Sequence, residues 1–384
     1  MKQPPKPVFY IATATSLVVL GDTLLYTILP SYYSHIGLVP YQVGLLLSVN
    51  RWVRLATNYL SVQCCRRYPS DLWLLGSFFC GALVAGIYGT TRLFGVLLAA
   101  RILWGFSYSF IRQAGIMAAV RTGDPAHLAE RMGYYRGINS LWHGVGILLG
   151  GLSHDVLGFP ATMITLGILA LIAVPLGNLS QKGLRGVTEA FSEVRIRGGN
   201  FGITLCGFSV GMVGTGLIMS TLGWIVRERL GEPFPILGHT VGVATLTGAI
   251  LSIRWILDAI GSPLLGAAAD HIGRERSIYL LFLLGGVALL SGALPMGPVW
   301  LVFAVIVCFI CGTTLYVLLS ALAGRLGPEN LASYVTAVDL GSSLGPSIGW
   351  GIVQFGFPSE LLFATAGTLY LSSAIFSYKR LCKG

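Results

Sequence analysis

The chain alternates between long apolar runs and short polar connections. Charge-poor runs of about 20 residues recur along its 384 residues, and a helix that crosses a bilayer needs about that number. The pattern therefore predicts twelve transmembrane helices. The predicted spans are 8–30, 40–62, 71–90, 92–116, 131–154, 159–177, 200–225, 239–263, 277–294, 297–320, 331–355 and 358–377.

The longest polar stretch, 178–199, divides these spans six and six. Its basic and acidic side chains are typical of a solvated connection, so we predict a cytoplasmic linker there. The sequence thus predicts an N-terminal six-helix bundle over 1–177 and a C-terminal six-helix bundle over 200–384.

The two halves resemble a repeat. The same offset of 203 residues takes Arg51 to Arg254 and Gly146 to Gly349, in similar local sequences. A parallel repeat of two such halves is a pattern found among secondary transporters.

Composition makes lipid the expected solvent of this chain. Hydrophobic residues make up 54% of it and charged residues 10%, whereas a soluble domain carries roughly 25% charged residues. The net charge of +10 would suggest nucleic acid in a soluble protein. Because the basic residues lie between apolar runs, membrane topology explains them, and we expect no nucleic-acid partner.

The distribution of Lys and Arg predicts the orientation. With both termini in the cytoplasm, the cytoplasmic segments carry 16 of these residues and the outer segments three, Arg92, Arg227 and Arg229. Positive residues concentrate on the cytoplasmic side of membrane proteins. We therefore expect a multi-pass protein of the cytoplasmic, or inner, membrane.

One connection carries a family signature. Between the eighth and ninth spans the chain reads Gly266-Ala-Ala-Ala-Asp270-His-Ile-Gly273-Arg274-Glu-Arg276. This resembles the signature loop of the major facilitator superfamily. The resemblance implies an all-α membrane protein, with twelve transmembrane helices in two pseudo-symmetric six-helix bundles around a central cavity. It also implies secondary active transport by alternating access.

The chain departs from the family pattern in two places. The first-half copy of the signature loop, near 58–68, has no Asp. The fifth span lacks the Gly-Pro pair of the family's drug and proton antiporters, which argues against that subgroup.

Charged residues inside the spans are the candidate functional residues, because a charge at mid-bilayer costs about 2.5–3.5 kcal/mol on insertion scales. Asp22 and Arg101 lie at nearly the same depth in spans 1 and 4, which line the cavity in the resembled fold. We predict that they approach each other as a proton or substrate site, with a structural pair as the alternative. Tyr108 and Arg112 share one helix face with Arg101, and this stripe suits a carboxylate or phosphate.

His143, in the middle of span 5, is open to two interpretations: a packing residue or a proton carrier.

Two further pairs suggest a cytoplasmic gate. In the resembled fold span 2 faces span 11 and span 5 faces span 8. Arg54 lies at the depth of Asp339, and Arg136 lies at the depth of Asp258. We hypothesise that both pairs bridge the bundles when the cytoplasmic side is closed.

These observations predict a transporter and no enzyme, cofactor or metal site. A nucleophile with a base, or a metal cluster, would favour an intramembrane enzyme, and a carbonyl loop would favour a channel; the sequence shows none of them. The excess of Arg over Asp in the spans favours an anionic or zwitterionic small solute. The alternative is a drug or cation exporter in which Asp22 carries the proton. We expect proton coupling and a monomer.

Overall fold

Almost all of the residues that the structure describes lie in helices. A computed structural model describes residues 4–67, 70–122, 127–184, 200–231, 234–236, 239–261 and 273–378. In chain order the helices are α1 (Lys6–Tyr32), α2 (Pro40–Arg67), α3 (Ser70–Thr90), α4 (Phe94–Arg121), α5 (Leu128–Leu157), α6 (Phe159–Ala170), α7 (Ala173–Lys182), α8 (Phe201–Val210), α9 (Met219–Leu230), α10 (Val243–Ile256), α11 (Arg274–Gly292), α12 (Pro298–Arg325), α13 (Pro328–Gln354) and α14 (Ser359–Ser377).

Nine helical segments in the described part of the chain are long and apolar enough to cross a membrane. Helices α2, α5 and α13 are less apolar but have 28, 30 and 27 residues, which is also long enough. The predicted all-α architecture of twelve membrane helices is confirmed. Several helices extend beyond the predicted spans; α7 continues to Lys182, into the predicted linker, and residues 185–199 lie outside the described residues.

Contacts divide the chain into two compact units. The first unit contains Met1–Ile28, Trp52–Phe191 and Ala244–Trp255. In it α3 packs along α4 and α6, and α5 contacts α4 and α6. The boundary predicted between two half-chain bundles stays a prediction.

The second unit contains Leu29–Arg51, Ser192–Val243 and Ile256–Gly384. A π-helical segment, Gly211–Ile218, joins α8 to α9, and α13 packs closely against it. A Cβ placed on Gly345 of α13 would lie 2.5 Å from the Cα of Gly216. Only glycine permits backbones to approach this closely, as at other small-residue helix contacts in membranes.

An arginine at the end of α9 ties three helices of the second unit together. Arg229 donates to the Ser359 hydroxyl at 2.9 Å and to the Gly292 carbonyl oxygen at 2.9 Å, and it pairs with Glu360 at 3.0 Å. These contacts hold the end of α11 and the start of α14 against α9.

The prediction of helix at the start of the eighth span was wrong. Residues Phe234–Ile236 and His239–Val241 form a short antiparallel hairpin, β1 and β2, in which Phe234 pairs with Val241. The helix begins four residues later than predicted, at Val243. Pro235 has no backbone N–H to donate to a helix, and β-branched residues around it favour strands.

Candidate functional site

A buried ion pair lies at the centre of the first unit. Arg101 of α4 is wholly buried, and its Nη1 donates to an Asp22 carboxylate oxygen on α1. The Asp22 side chain keeps 14% of its surface exposed. The contact predicted from the depths of these two residues is therefore present. The acid is the accessible member of the pair, and the base is sealed in protein.

Two tyrosines lie beside the buried guanidinium. The Cζ of Arg101 lies 5.9 Å from the ring centroid of Tyr26, and Tyr88 of α3 also lies beside it. Both tyrosines are almost fully buried. A ring face within about 6 Å attracts a cation. The Arg101 charge is thus stabilised by more than Asp22 alone.

The predicted stripe on α4 continues from this pair. Tyr108 is half-buried and lies 5.6 Å, centroid to centroid, from Trp104. The Cζ of Arg54 lies 5.0 Å from the Tyr108 ring, so one predicted gate residue stacks on one predicted substrate residue. Arg112 is half-buried one turn farther along α4.

His143 is buried where three helices meet: its own helix, α5, is hydrogen-bonded to α1 through Asn139, and its ring is stacked on α10. Its Nδ1 donates to the backbone carbonyl of Asn139, whose side-chain oxygen accepts from the Ser16 hydroxyl at 2.7 Å. The imidazole stacks on Trp255 of α10 with ring centroids 4.6 Å apart. This hydrogen bond fixes a proton on Nδ1, so Nε2 is the atom that can gain or lose one. The environment fits both interpretations of His143.

A second intramembrane arginine donates hydrogen bonds to backbone carbonyls. The Nη1 of Arg51 donates to the carbonyl oxygens of Thr215 at 3.1 Å and Ser342 at 2.5 Å, both in the second unit. Thr215 lies within the π-helical segment, where the α-helical hydrogen-bond pattern is interrupted.

The remaining predicted residues are placed individually. Arg136 is exposed on α5, Asp258 lies half-buried in a π turn that follows α10, and Asp339 lies half-buried on α13. The gate between these residues stays a prediction. Of the signature loop, Gly273 has a left-handed φ of 98° and precedes Arg274 and Arg276 on α11. Gly266 and Asp270 lie outside the described residues.

The expected approach of span 5 to span 8 is made by residues that the sequence did not single out. Helices α5 and α10 touch along small residues: a Cβ on Gly151 would lie 2.5 Å from the Ala244 carbonyl oxygen, and a Cβ on Gly248 would lie 2.9 Å from that of Ile147. The carboxylate of Asp155 caps this contact by accepting from Thr245. The spacing of Gly248 and Ser252 on one helix face was the signal available in the sequence.

Comparisons with known proteins agree with this architecture. A sequence profile of the Major Facilitator Superfamily matches residues 11–349. The chain is 24% identical to the multidrug resistance protein MdtG of Proteus mirabilis (strain HI4320), over 90% of this chain and 89% of that protein. It is 25% identical to the protein of the same name from Rahnella sp. (strain Y9602), over 93% of this chain and 89% of the relative.

Solved structures show the same fold at low identity. A POT family transporter, crystallised with a thioalcohol-conjugated peptide, matches with a TM-score of 0.79 and 11% identity over 98% of this chain and 96% of that one. A bacterial homologue of the human lysosomal transporter Spinster matches with a TM-score of 0.71 and 12% identity, again over 98% and 96% of the two chains. These likenesses concern the fold alone.

Proposed function

The chain belongs to the Major Facilitator Superfamily, and from that premise we propose that it is a proton-coupled exporter of small, largely apolar solutes. Transport of a solute across the membrane follows from the family. The choice of solute and the coupling ion rest on the ion pair between Asp22 and Arg101 and on the similarity to relatives named as multidrug resistance proteins.

The intramembrane arginines are occupied with protein groups. The sequence favoured an anionic solute because arginines outnumber aspartates in the spans. Arg101 pairs with a carboxylate, Arg51 donates to backbone carbonyls, and Arg54 lies against the Tyr108 ring, as described above. Arg254 lies over an aromatic ring as well, with its Cζ 4.9 Å from the ring centroid of Trp255. An arginine that already has such partners adds little attraction for a solute anion, so the apolar exporter becomes the better proposal.

The pair supplies a means of proton coupling. A proton on Asp22 removes the negative charge that holds Arg101, while Tyr26 and Tyr88 still stabilise the guanidinium. Protonated and deprotonated states therefore differ in how firmly α1 is held to α4. A difference of this kind shifts the populations of two conformations, which is what coupling requires.

The experiment is transport in proteoliposomes that contain the purified chain and a trapped pH-sensitive dye. With an imposed proton gradient, adding the amphipathic probe ethidium should cause proton movement and saturable probe flux. Asp22→Asn should abolish probe-driven proton movement, because an amide cannot take up the proton. Asp71→Asn, which removes an acid at the start of α3, is the matched control and should transport normally.

Either of two results would overturn the proposal. One is unchanged proton movement in Asp22→Asn at equal protein insertion. The other is probe flux that does not depend on the gradient in the unmodified chain.

An anionic solute remains the second candidate, and Arg112 is the observation that favours it. This residue is half-buried on the same face of α4 as Arg101 and Tyr108. If it binds the solute, transport of an organic anion should weaken with salt and with Arg112→Gln. Competition between a set of aliphatic carboxylates and ethidium would separate the two candidates.

A further inference from the structure

An apolar groove lies on the first unit between α3 and α6, on a face that the transport proposal does not use. Its volume is about 470 Å³, within the range of roughly 300–1,000 Å³ typical of small-molecule sites. The walls are side chains from one face of each helix. They include Phe79, Leu83, Ile87, Ile164, Ile168 and Leu171.

Glycines form the floor of the groove. A Cβ on Gly167 would lie 3.0 Å from the backbone nitrogen of Gly86, so the two helices touch there. A Cβ on Gly86 would meet nothing within 4 Å. The groove is therefore open directly above Gly86, while its walls stand out on both sides.

The length of the groove matches one leaflet. From Phe79 to Thr90 the lining extends along eleven helical steps of α3, or about 16 Å at the α-helical rise. This is close to half of the roughly 30 Å hydrocarbon core. The groove ends where α3 ends, at Thr90.

The end of the groove at the membrane surface is positively charged. Arg92 follows Thr90 by two residues and is exposed. The start of α6 is also there, since a Cβ on Gly89 would lie 2.7 Å from the Pro160 carbonyl oxygen. Helix N-termini carry a partial positive charge. The apolar groove, one leaflet long, thus ends at two positive groups, the Arg92 side chain and the N-terminus of α6.

We propose that this groove binds a glycerophospholipid from the leaflet next to the α3–α4 connection. One acyl chain lies between α3 and α6, above Gly86. The lipid phosphate binds Arg92, whose long side chain reaches the headgroup region. This inference is independent of which solute the protein transports.

The test is native mass spectrometry of the full chain in detergent, titrated with phosphatidylglycerol. The unmodified chain should retain one lipid more tightly than the rest. Gly86→Leu fills the groove and should weaken that binding at least tenfold. The matched control is Gly76→Leu on the same helix, where a Cβ also meets nothing within 4 Å; it lies outside the groove and should bind as the unmodified chain does.

The phosphate contact is tested separately, on a connection where substitution leaves the helices unchanged. Arg92→Gln should weaken phosphatidylglycerol binding roughly tenfold, the loss of one charge-assisted contact. Diacylglycerol, which lacks the phosphate, should bind equally weakly to both proteins.

Three results would overturn the proposal. Equal lipid binding by Gly86→Leu and Gly76→Leu would remove the acyl chain from the groove. Equal binding of phosphatidylglycerol and diacylglycerol would remove the phosphate from Arg92. A dimer of the unmodified chain that Gly86→Leu converts to monomer would assign the groove to a second copy of the protein.

Discussion

The carboxylate of Asp155, near the end of α5, accepts two hydrogen bonds from Thr245, in the first turn of α10. The backbone nitrogen of Thr245 lies 2.9 Å from Oδ2 and its hydroxyl oxygen 2.5 Å. The first amides of a helix have no partner within that helix. Asp155 therefore caps α10 from another helix and places a negative charge at its positive end.

Removal of this cap should loosen the contact between α5 and α10. Asp155→Ala is expected to lower the free energy of unfolding by about 1 kcal/mol, the usual cost of losing an N-cap acceptor. Thr245→Val keeps the hydrogen bond from the backbone N–H and removes the one from the hydroxyl, so it should lower the free energy of unfolding by less. Thermal unfolding in detergent measures both, and a larger loss in Thr245→Val would contradict this account.

The ion pair of Asp22 with Arg101 should show strong coupling between its two members. Asp22→Asn leaves a wholly buried guanidinium without its counter-charge and should destabilise the protein by about 3–5 kcal/mol. Arg101→Gln should also destabilise. The double change should cost much less than the two single changes added together, because it leaves no unpaired charge. Additive losses in a double-mutant cycle would show that the pair contributes no mutual stabilisation.

The close contact of Gly345 with Gly216 predicts that Gly→Ala lowers stability at Gly345, whereas the same change raises it at an open helical position. Gly→Ala inside a helix ordinarily stabilises by roughly 0.5–1 kcal/mol. Gly76→Ala on α3, with open space around the new methyl group, should follow that rule. Gly345→Ala should instead destabilise, because overpacking costs about 1–3 kcal/mol. Unfolding midpoints of the two variants, measured side by side, decide the matter; a gain at Gly345 would refute the close contact.

Arg229 should not tolerate lysine. Its guanidinium contacts two helices with three separate nitrogens, and an ammonium group cannot reproduce that geometry. The bond to Glu360 counts for little because that acid is 46% exposed. Loss of the hydrogen bond to the Gly292 carbonyl oxygen should account for most of the decrease in the free energy of unfolding, at about 1–2 kcal/mol. Arg229→Lys should therefore lower the melting temperature about as much as Arg229→Gln, whereas full stability of the lysine variant would contradict this.

The features that the sequence predicts well depend on the rise per residue and the hydrophobicity of a single helix. Asp22 and Arg101 are 79 residues apart, yet counting residues from each helix end places them at one depth. Helix count follows from apolar run lengths for the same reason. Both are local properties that packing does not change.

The features that escape prediction depend on which helices touch. Asp155 has the pattern of a solvated acid at a helix end until α10 is placed beside it. The contact between Gly86 and Gly167 cannot be predicted until α3 is known to pack against α6. The hydrogen bonds of Arg51 could not be predicted either, because its acceptors are backbone carbonyls, which every residue has. A count of arginines takes no account of such contacts, which is why the sign of the solute charge stays a prediction.

The π-helical segment Gly211–Ile218 affects how this chain aligns with its relatives. A π turn takes in one more residue than an α turn, so the segment acts as a single-residue insertion absorbed within a continuous membrane helix. The helix faces α13 both before and after it: a Cβ on Gly207 would lie 2.6 Å from the Tyr334 ring, and the Ser220 carbonyl oxygen accepts from the Trp350 indole at 3.0 Å. A relative whose equivalent helix is regular should therefore align with this chain only if a one-residue gap is opened between 211 and 218.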